Sequence, residues 1–275
     1  MFLYGKEIVP GKKSIGNLLL TALWPVGSTM YVWGGGWNEA DDGAGVEARR
    51  IGISPCWKVF ADRQTKDYDF EKTRYQIHDG LDCSGYVGWV LYNVFEKENC
   101  RAGYVMPSTY MAWEFAGAGW GKYTPAHLVK DWKAGDIMSM KGHVWIVLGM
   151  CRDGSVLLLH ASPPGVILCG TALEGAWTQE DGVKGDGMER DGAKGPKTSQ
   201  AIELAKAYMK KYYPNWYERF PECGRDTSYL KNSNQMRWSQ EVLADPEDLR
   251  NKTGEEVLAW MFGEKKDCRL RGILL

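Results

Sequence analysis

The sequence predicts an α+β fold, because one strongly amphipathic helix precedes a pair of apolar strands. The helix covers residues 82–99, and its apolar side chains recur at the spacing of one helix face: Val87, Val90, Leu91 and Val94. Residues 143–148 are apolar and β-branched, as buried strands are. Asp153-Gly154 then predicts a turn, and residues 155–161 return as the second strand of a hairpin.

Shorter segments complete this prediction. Residues 14–27 predict a helix, residues 107–118 a short helix, and residues 136–140 a strand before the hairpin. The apolar run after Lys12-Lys13 imitates a signal peptide, but no small-x-small cleavage site follows it cleanly. We therefore expect a buried first helix, and the cellular location stays unknown, cytoplasmic or exported.

Composition shifts divide the chain into parts. Residues 1–175 predict one domain, with a polar insertion over residues 37–80 that we expect on the surface. Residues 176–197 are rich in Gly, Asp and Lys and have little to bury, which predicts a loop or linker. Residues 198–275 predict a mostly helical extension packed on the first domain, with apolar residues at helical spacing: Ile202, Ala205, Tyr208, Met209 and Tyr212.

Local signals place helix ends in this extension. Asp245-Pro246 predicts a helix start, with an acceptor at the cap and proline in the first turn. Thr253 and Glu256 have the spacing of a capping box, and Gly263 predicts the stop of that helix.

The overall composition excludes several classes of protein. The 34 Lys and Arg residues balance 35 Asp and Glu residues, whereas nucleic-acid binders carry a clear basic excess. No stretch approaches the roughly 20 apolar residues that span a bilayer. The seven cysteines form no CxxC pair, which argues against a structural zinc site and favours free thiols. We expect no cofactor, no metal, no nucleic-acid partner and no membrane span.

Cys83 is the candidate nucleophile. It follows Asp82, which can cap the helix, so the thiol sits where unpaired amides and the helix dipole favour a thiolate. Backbone amides at the same place can hold an oxyanion. The alternative is a buried structural cysteine that happens to begin a helix.

Two histidines are candidates for the partner of this thiol. His143 begins a strand after Gly142, and from this rigid support it can act as a base for Cys83. A two-residue turn places His160 opposite Val147, whereas a longer loop places it opposite Trp145. Either register leaves His160 on the face of His143, where it can orient the imidazole as the third group of a triad does. A lone core histidine with satisfied hydrogen bonds is the alternative for each.

These motifs, taken together, resemble the NlpC/P60 family of cysteine peptidases over roughly residues 14–165. The matching segments are Tyr31-Val-Trp-Gly-Gly35, Asp82-Cys-Ser-Gly85, Trp132-Lys-Ala-Gly-Asp136, Gly142-His-Val144 and Leu159-His-Ala161. The resemblance implies a papain-like core, in which the cysteine helix packs on an antiparallel sheet. It also implies hydrolysis of peptidoglycan-derived peptides, typically at γ-D-glutamyl bonds to a diamino acid. Tyr31, Asp82 and Ser84 match positions that bind substrate near the cysteine in relatives.

The chain departs from the family pattern in ways that bear on substrate specificity. The insertion is longer than is usual, the run after Pro107 lacks Arg and Gln, and the extension has no familiar counterpart. Three other functions stay open. One is a CHAP-like amidase that cuts between sugar and peptide, and one is a non-catalytic peptide-binding module. The third, a metal site from His143, His160 and Asp136, has no supporting ligand spacing.

Overall fold

The computed structural model describes residues 1–99, 102–173 and 198–264. The α-helices are α1 (Ile15–Leu23), α2 (Pro55–Asp62), α3 (Cys83–Phe95), α4 (Met111–Gly117), α5 (Gln200–Tyr212), α6 (Pro214–Arg219), α7 (Ser228–Lys231) and α8 (Gly254–Met261). The strands are β1 (Phe2–Leu3), β2 (Lys6–Glu7), β3 (Met30–Tyr31), β4 (Gly80–Leu81), β5 (Gly121–Thr124), β6 (Ile137–Met140), β7 (His143–Met150), β8 (Val156–Ser162), β9 (Gly165–Thr171), β10 (Gly224–Arg225) and β11 (Asn234–Trp238). The α+β class is therefore confirmed.

One mixed sheet organises the molecule. Its strands follow the order β4-β3-β9-β8-β7-β6-β11-β5, and β10 pairs with the far end of β9. Pairing is antiparallel except between β3 and β4 and between β9 and β10. β9 and β5 are strands that the sequence analysis did not predict.

The first helix packs against the cysteine helix, and the cysteine helix packs against this sheet. Every residue of α1 is buried, and the Ser14 hydroxyl caps it by accepting the Asn17 N–H, which confirms the expected buried first helix. α3 is buried from Cys83 to Val94 and contacts α1, β7 and β8. Its apolar face therefore fixes the start of the helix against the central strands. Within the described segments, no helix has the length and apolar character that crossing a bilayer requires.

The register of the β7–β8 hairpin decides where His160 lies. Ile146 pairs with Leu159, so His160 is level with Trp145. The predicted register with a two-residue turn, in which His160 lies opposite Val147, is therefore wrong. A loop over residues 151–155 and a bulge between Val147 and Gly149 produce the observed register.

Within residues 198–264 the carboxy-terminal extension contains α5, α6, α7 and α8, but it also adds a strand that was not predicted to the main sheet. β11 lies inside the main sheet between β6 and β5, and it pairs with both of them antiparallel. The sequence of β11 includes Gln and Arg and shows no clear strand pattern. It forms a strand because β6 and β5 pair with it on both sides. Asp245-Pro246 also begins no α-helix. The Asp245 carboxylate accepts the N–H groups of Leu249 and Arg250 and closes a turn. The capping box of Thr253 and Glu256 at α8 is confirmed.

The insertion over residues 37–80 is only partly a surface segment. Trp57 of α2 is fully buried and meets Trp89 of α3 edge to face, with ring centroids 5.5 Å apart. Arg219 of α6 reaches back to this segment and donates to the carbonyl oxygens of Ala61 and Gln64, both at 2.7 Å. The insertion and the extension are therefore both tied to the core.

Candidate active site

The start of α3 is held by its own sequence. The Asp82 carboxylate caps the helix by accepting the Gly85 N–H at 2.7 Å and the Ser84 hydroxyl at 2.8 Å. Gly85 packs directly on the glycine turn that follows β3, where a Cβ on Gly85 would lie 2.0 Å from the Gly35 carbonyl oxygen. The close approach requires glycine and brings the turn against the first helical residues.

Burial raises the pKa of the Asp82 carboxyl to about 6, although the hydrogen bonds from Gly85, Ser84 and Gly34 favour the charged form. In the unfolded chain the pKa returns to about 3.8. Between about pH 4 and pH 6 the folded protein therefore binds more protons than the unfolded chain, and stability falls as pH rises through this window.

The Asp82→Asn variant is expected to lose this pH dependence. An asparagine can still accept the cap hydrogen bond but does not titrate. The free energy of unfolding of the wild type should change by about 2 kcal/mol more than that of the variant between pH 4 and pH 6. Urea denaturation at several pH values measures this difference. The exposed Asp67→Asn variant is the control, and equal slopes for wild type and Asp82→Asn would contradict the raised pKa.

Cys83 is the first residue of α3 and is buried. Its sulfur lies 3.9 Å from the carbonyl oxygen of Gly142, the residue immediately before His143. Gly142 has φ +74° and donates its N–H to the Thr109 hydroxyl at 3.1 Å, which anchors the turn between β6 and β7. The fold thus brings the helix start to the start of the histidine strand.

The two predicted histidines are in direct contact. His143 Nε2 and His160 Nδ1 are 2.9 Å apart, and both rings are buried. Burial, the nearby Arg225 charge and His143 hold the pKa of His160 well below its usual range, so His160 is neutral near pH 7. Because Nε2 of His143 contacts His160, Nδ1 is the ring nitrogen of His143 that can exchange a proton with another group.

Tyr229 belongs to this site and was missed by the sequence analysis. It comes from α7 of the extension and is buried. Its ring packs edge-on to His143, with centroids 5.5 Å apart, and edge-on to His160 at 5.8 Å. Its hydroxyl lies 3.5 Å from His160 Nδ1. No local pattern in the sequence connects Tyr229 with histidines on β7 and β8.

Two of the residues expected to bind substrate, Tyr31 and Ser84, lie beside segments of the insertion. The Tyr31 ring meets Phe70 edge to face at 5.5 Å, and its carbonyl oxygen accepts the Tyr68 hydroxyl at 2.7 Å. Ser84 accepts the Trp37 indole N–H at 3.0 Å while its own hydroxyl donates to Asp82. Tyr31 and Ser84 are therefore buttressed by the insertion.

Most of the exposed aromatic side chains belong to segments connected to the residues next to Cys83 and His143. Five are exposed in the described residues: Phe2, Trp33, Tyr75, Tyr110 and Trp113. Trp33 adjoins Gly34, whose N–H donates to the Asp82 carboxylate, and the Tyr75 N–H donates to the Trp33 carbonyl at 2.8 Å. Tyr110 and Trp113 follow Thr109, which holds the turn before His143. Four of the five rings therefore belong to segments that hydrogen bonds link, directly or through one residue, to Asp82 or to Gly142.

The structure separates Asp136 from the histidines. Its buried carboxylate accepts hydrogen bonds from Arg237 Nη2 at 2.7 Å and Gln235 Nε2 at 3.0 Å. Across the described parts of the chain, no group of three His, Cys, Asp or Glu side chains is arranged to hold a metal ion. Among the cysteines within these parts, Cys56, Cys151 and Cys223 are free thiols.

Comparisons with known proteins give no identification, since no family model, no curated protein and no solved structure matches this chain.

Proposed function

We propose that the chain is a cysteine peptidase of the NlpC/P60 type, with a papain-like core, that hydrolyses peptidoglycan peptides. The observation that carries the proposal is the position of the Cys83 thiol, which begins a helix beside the residue preceding His143. The contact between His143 Nε2 and His160 Nδ1 adds the third group of a triad. A thiol, a base and an orienting group on three different elements are what nucleophilic catalysis requires.

The proposed mechanism uses Cys83 as the nucleophile and His143 as both base and acid. His143 Nδ1 takes the thiol proton of Cys83, and the thiolate attacks the scissile carbonyl carbon. Amides at the start of α3 hold the oxyanion of the tetrahedral intermediate. The imidazolium of His143 then gives its proton to the leaving amine, and the C–N bond breaks to leave a thioester. Water, deprotonated by His143, hydrolyses the thioester and restores the thiol. These steps require the sulfur and the imidazole nitrogen within about 4 Å of each other.

The bond that we propose is a γ-D-glutamyl bond to a diamino acid. Tyr31, Asp82 and Ser84 would form the wall of the substrate site next to the cysteine. The insertion supports this wall through Tyr68 and Trp37, and the exposed rings of Trp33, Tyr75, Tyr110 and Trp113 offer apolar surface to a ligand. We therefore infer that the insertion and the extension narrow the range of substrates.

Digestion of purified muropeptides is the test. The wild-type chain is expected to release shortened peptides whose masses, measured by mass spectrometry, place the cut after the γ-D-glutamyl residue. The Cys83→Ala variant is expected to release none, whereas Cys56→Ala, which removes an exposed thiol, should match the wild type. Products cut between sugar and peptide would identify the CHAP-like amidase instead. Binding of the peptides without any product would identify a peptide-binding module.

A further inference from the structure

The catalytic form of the histidine pair has an energetic problem. For His143 Nδ1 to accept the thiol proton, Nε2 of the same ring must carry a hydrogen and donate it to His160 Nδ1. The neutral His160 ring then carries its own proton on Nε2. Among the described residues, no atom accepts a hydrogen bond from His160 Nε2, which is buried. An unpaired buried donor costs about 1–3 kcal/mol, so this tautomer needs support from elsewhere.

Tyr229 is the group placed to give that support. Its hydroxyl lies 3.5 Å from His160 Nδ1, the nitrogen that must stay unprotonated, and from there it can share the single lone pair of Nδ1 with the His143 Nε2–H as a second, weaker donor. Its ring also covers the edges of both imidazoles and of Trp145, whose indole N–H donates to Ser233 of the same segment at 3.1 Å. Arg225, from β10 of the same segment, adds a positive charge that disfavours protonation of His160. Residues 224–233 therefore supply two groups that act on the histidines, the positive charge of Arg225 and the phenol of Tyr229.

We propose that Tyr229 is a positioning residue of the active site, which holds the His143–His160 pair in the tautomer and orientation needed to activate Cys83. This inference rests on the proposed cysteine peptidase function. It makes the extension part of the catalytic site, although the motifs of residues 14–165 already contain the nucleophile and both histidines. A group that acts through another should affect turnover more than substrate binding.

Two variants separate the hydroxyl from the ring. Tyr229→Phe keeps the packing and removes the donor, and we expect kcat on muropeptides to fall about 3- to 10-fold with KM nearly unchanged. Tyr229→Ala also releases both imidazoles, and we expect a fall of about 10- to 100-fold, since small displacements of a base are costly. Tyr208→Phe is the matched control, because this extension tyrosine donates to Glu264 at 2.6 Å. Its kcat should equal that of the wild type.

A second readout needs no peptidase substrate. Iodoacetamide alkylation of Cys83, followed by mass spectrometry of its peptide across pH 5–9, reports how well the histidine pair activates the thiol. Both Tyr229 variants should alkylate more slowly than the wild type near neutral pH, and Tyr208→Phe should not. An alkylation profile and kcat for Tyr229→Phe equal to those of the wild type would overturn the proposal. If the wild type cleaves no muropeptide, the proposed function fails, while the alkylation comparison still decides the role of Tyr229.

Discussion

Replacing His143 with alanine is expected to abolish hydrolysis while the protein stays folded. The thiol of Cys83 would lose its proton acceptor, and the leaving amine would lose its proton donor. When several groups act as one catalytic unit, removing one essential member loses nearly the whole rate enhancement. We therefore expect a fall in kcat of roughly 10³-fold or more. Product release from muropeptides, measured over long incubations, gives the residual rate.

Two further histidine variants make this result interpretable. His160→Ala should lose less activity than His143→Ala, because an orienting group supports the base without reacting. His127→Ala removes an exposed histidine and should leave kcat unchanged. Circular dichroism and urea denaturation would show whether each variant folds. A folded His143→Ala variant that kept more than about a tenth of the wild-type rate would rule out His143 as the base.

The second large effect concerns stability and the buried pair of Asp136 and Arg237. The carboxylate is 1% exposed, and Arg237 Nη2 lies 2.7 Å from it. Burial raises the pKa of the Asp136 carboxyl, whereas the hydrogen bond and the charge of Arg237 lower it. The negative charge of Asp136 therefore depends on Arg237. Arg237→Ala should therefore lower the free energy of unfolding by about 3–5 kcal/mol, since it leaves a buried charge without its counterion.

Urea denaturation measures this loss, with two comparisons. Lys58→Ala breaks the exposed pair of Lys58 and Asp62, and it should cost no more than about 0.5 kcal/mol. The double variant Asp136→Asn, Arg237→Met removes both charges and should be more stable than Arg237→Ala alone. If Arg237→Ala were no more harmful than Lys58→Ala, the pair would have no structural role.

Elements whose signals are local could be predicted from the sequence. The buried α1, the amphipathic α3 capped by Asp82, the apolar β7 and the capping box of α8 each depend on residues within a few positions of one another. The same holds for Cys83 and His143 as candidates, because each stands at the end of such an element.

Features that depend on distant partners could not be predicted. The register that brings His160 to His143 needs a bulge near Leu148, and periodicity alone left two registers open. β11 is stable as a strand because β6 and β5 flank it, and Tyr229 reaches the histidines only because its short helix lies between paired strands. Arg237 likewise finds Asp136 through strand pairing and not through sequence spacing.

The position of β11 also constrains the order of events during synthesis. β5 emerges from the ribosome long before β11, yet within the described sheet it pairs with β11 alone. Closing so long a loop is entropically costly and slows folding, so this edge of the sheet forms late. A nascent chain would therefore contain Cys83, His143 and His160 before Tyr229 and β11 had been synthesised. The peptidase activity that we propose would then mature only after most of the chain had been translated.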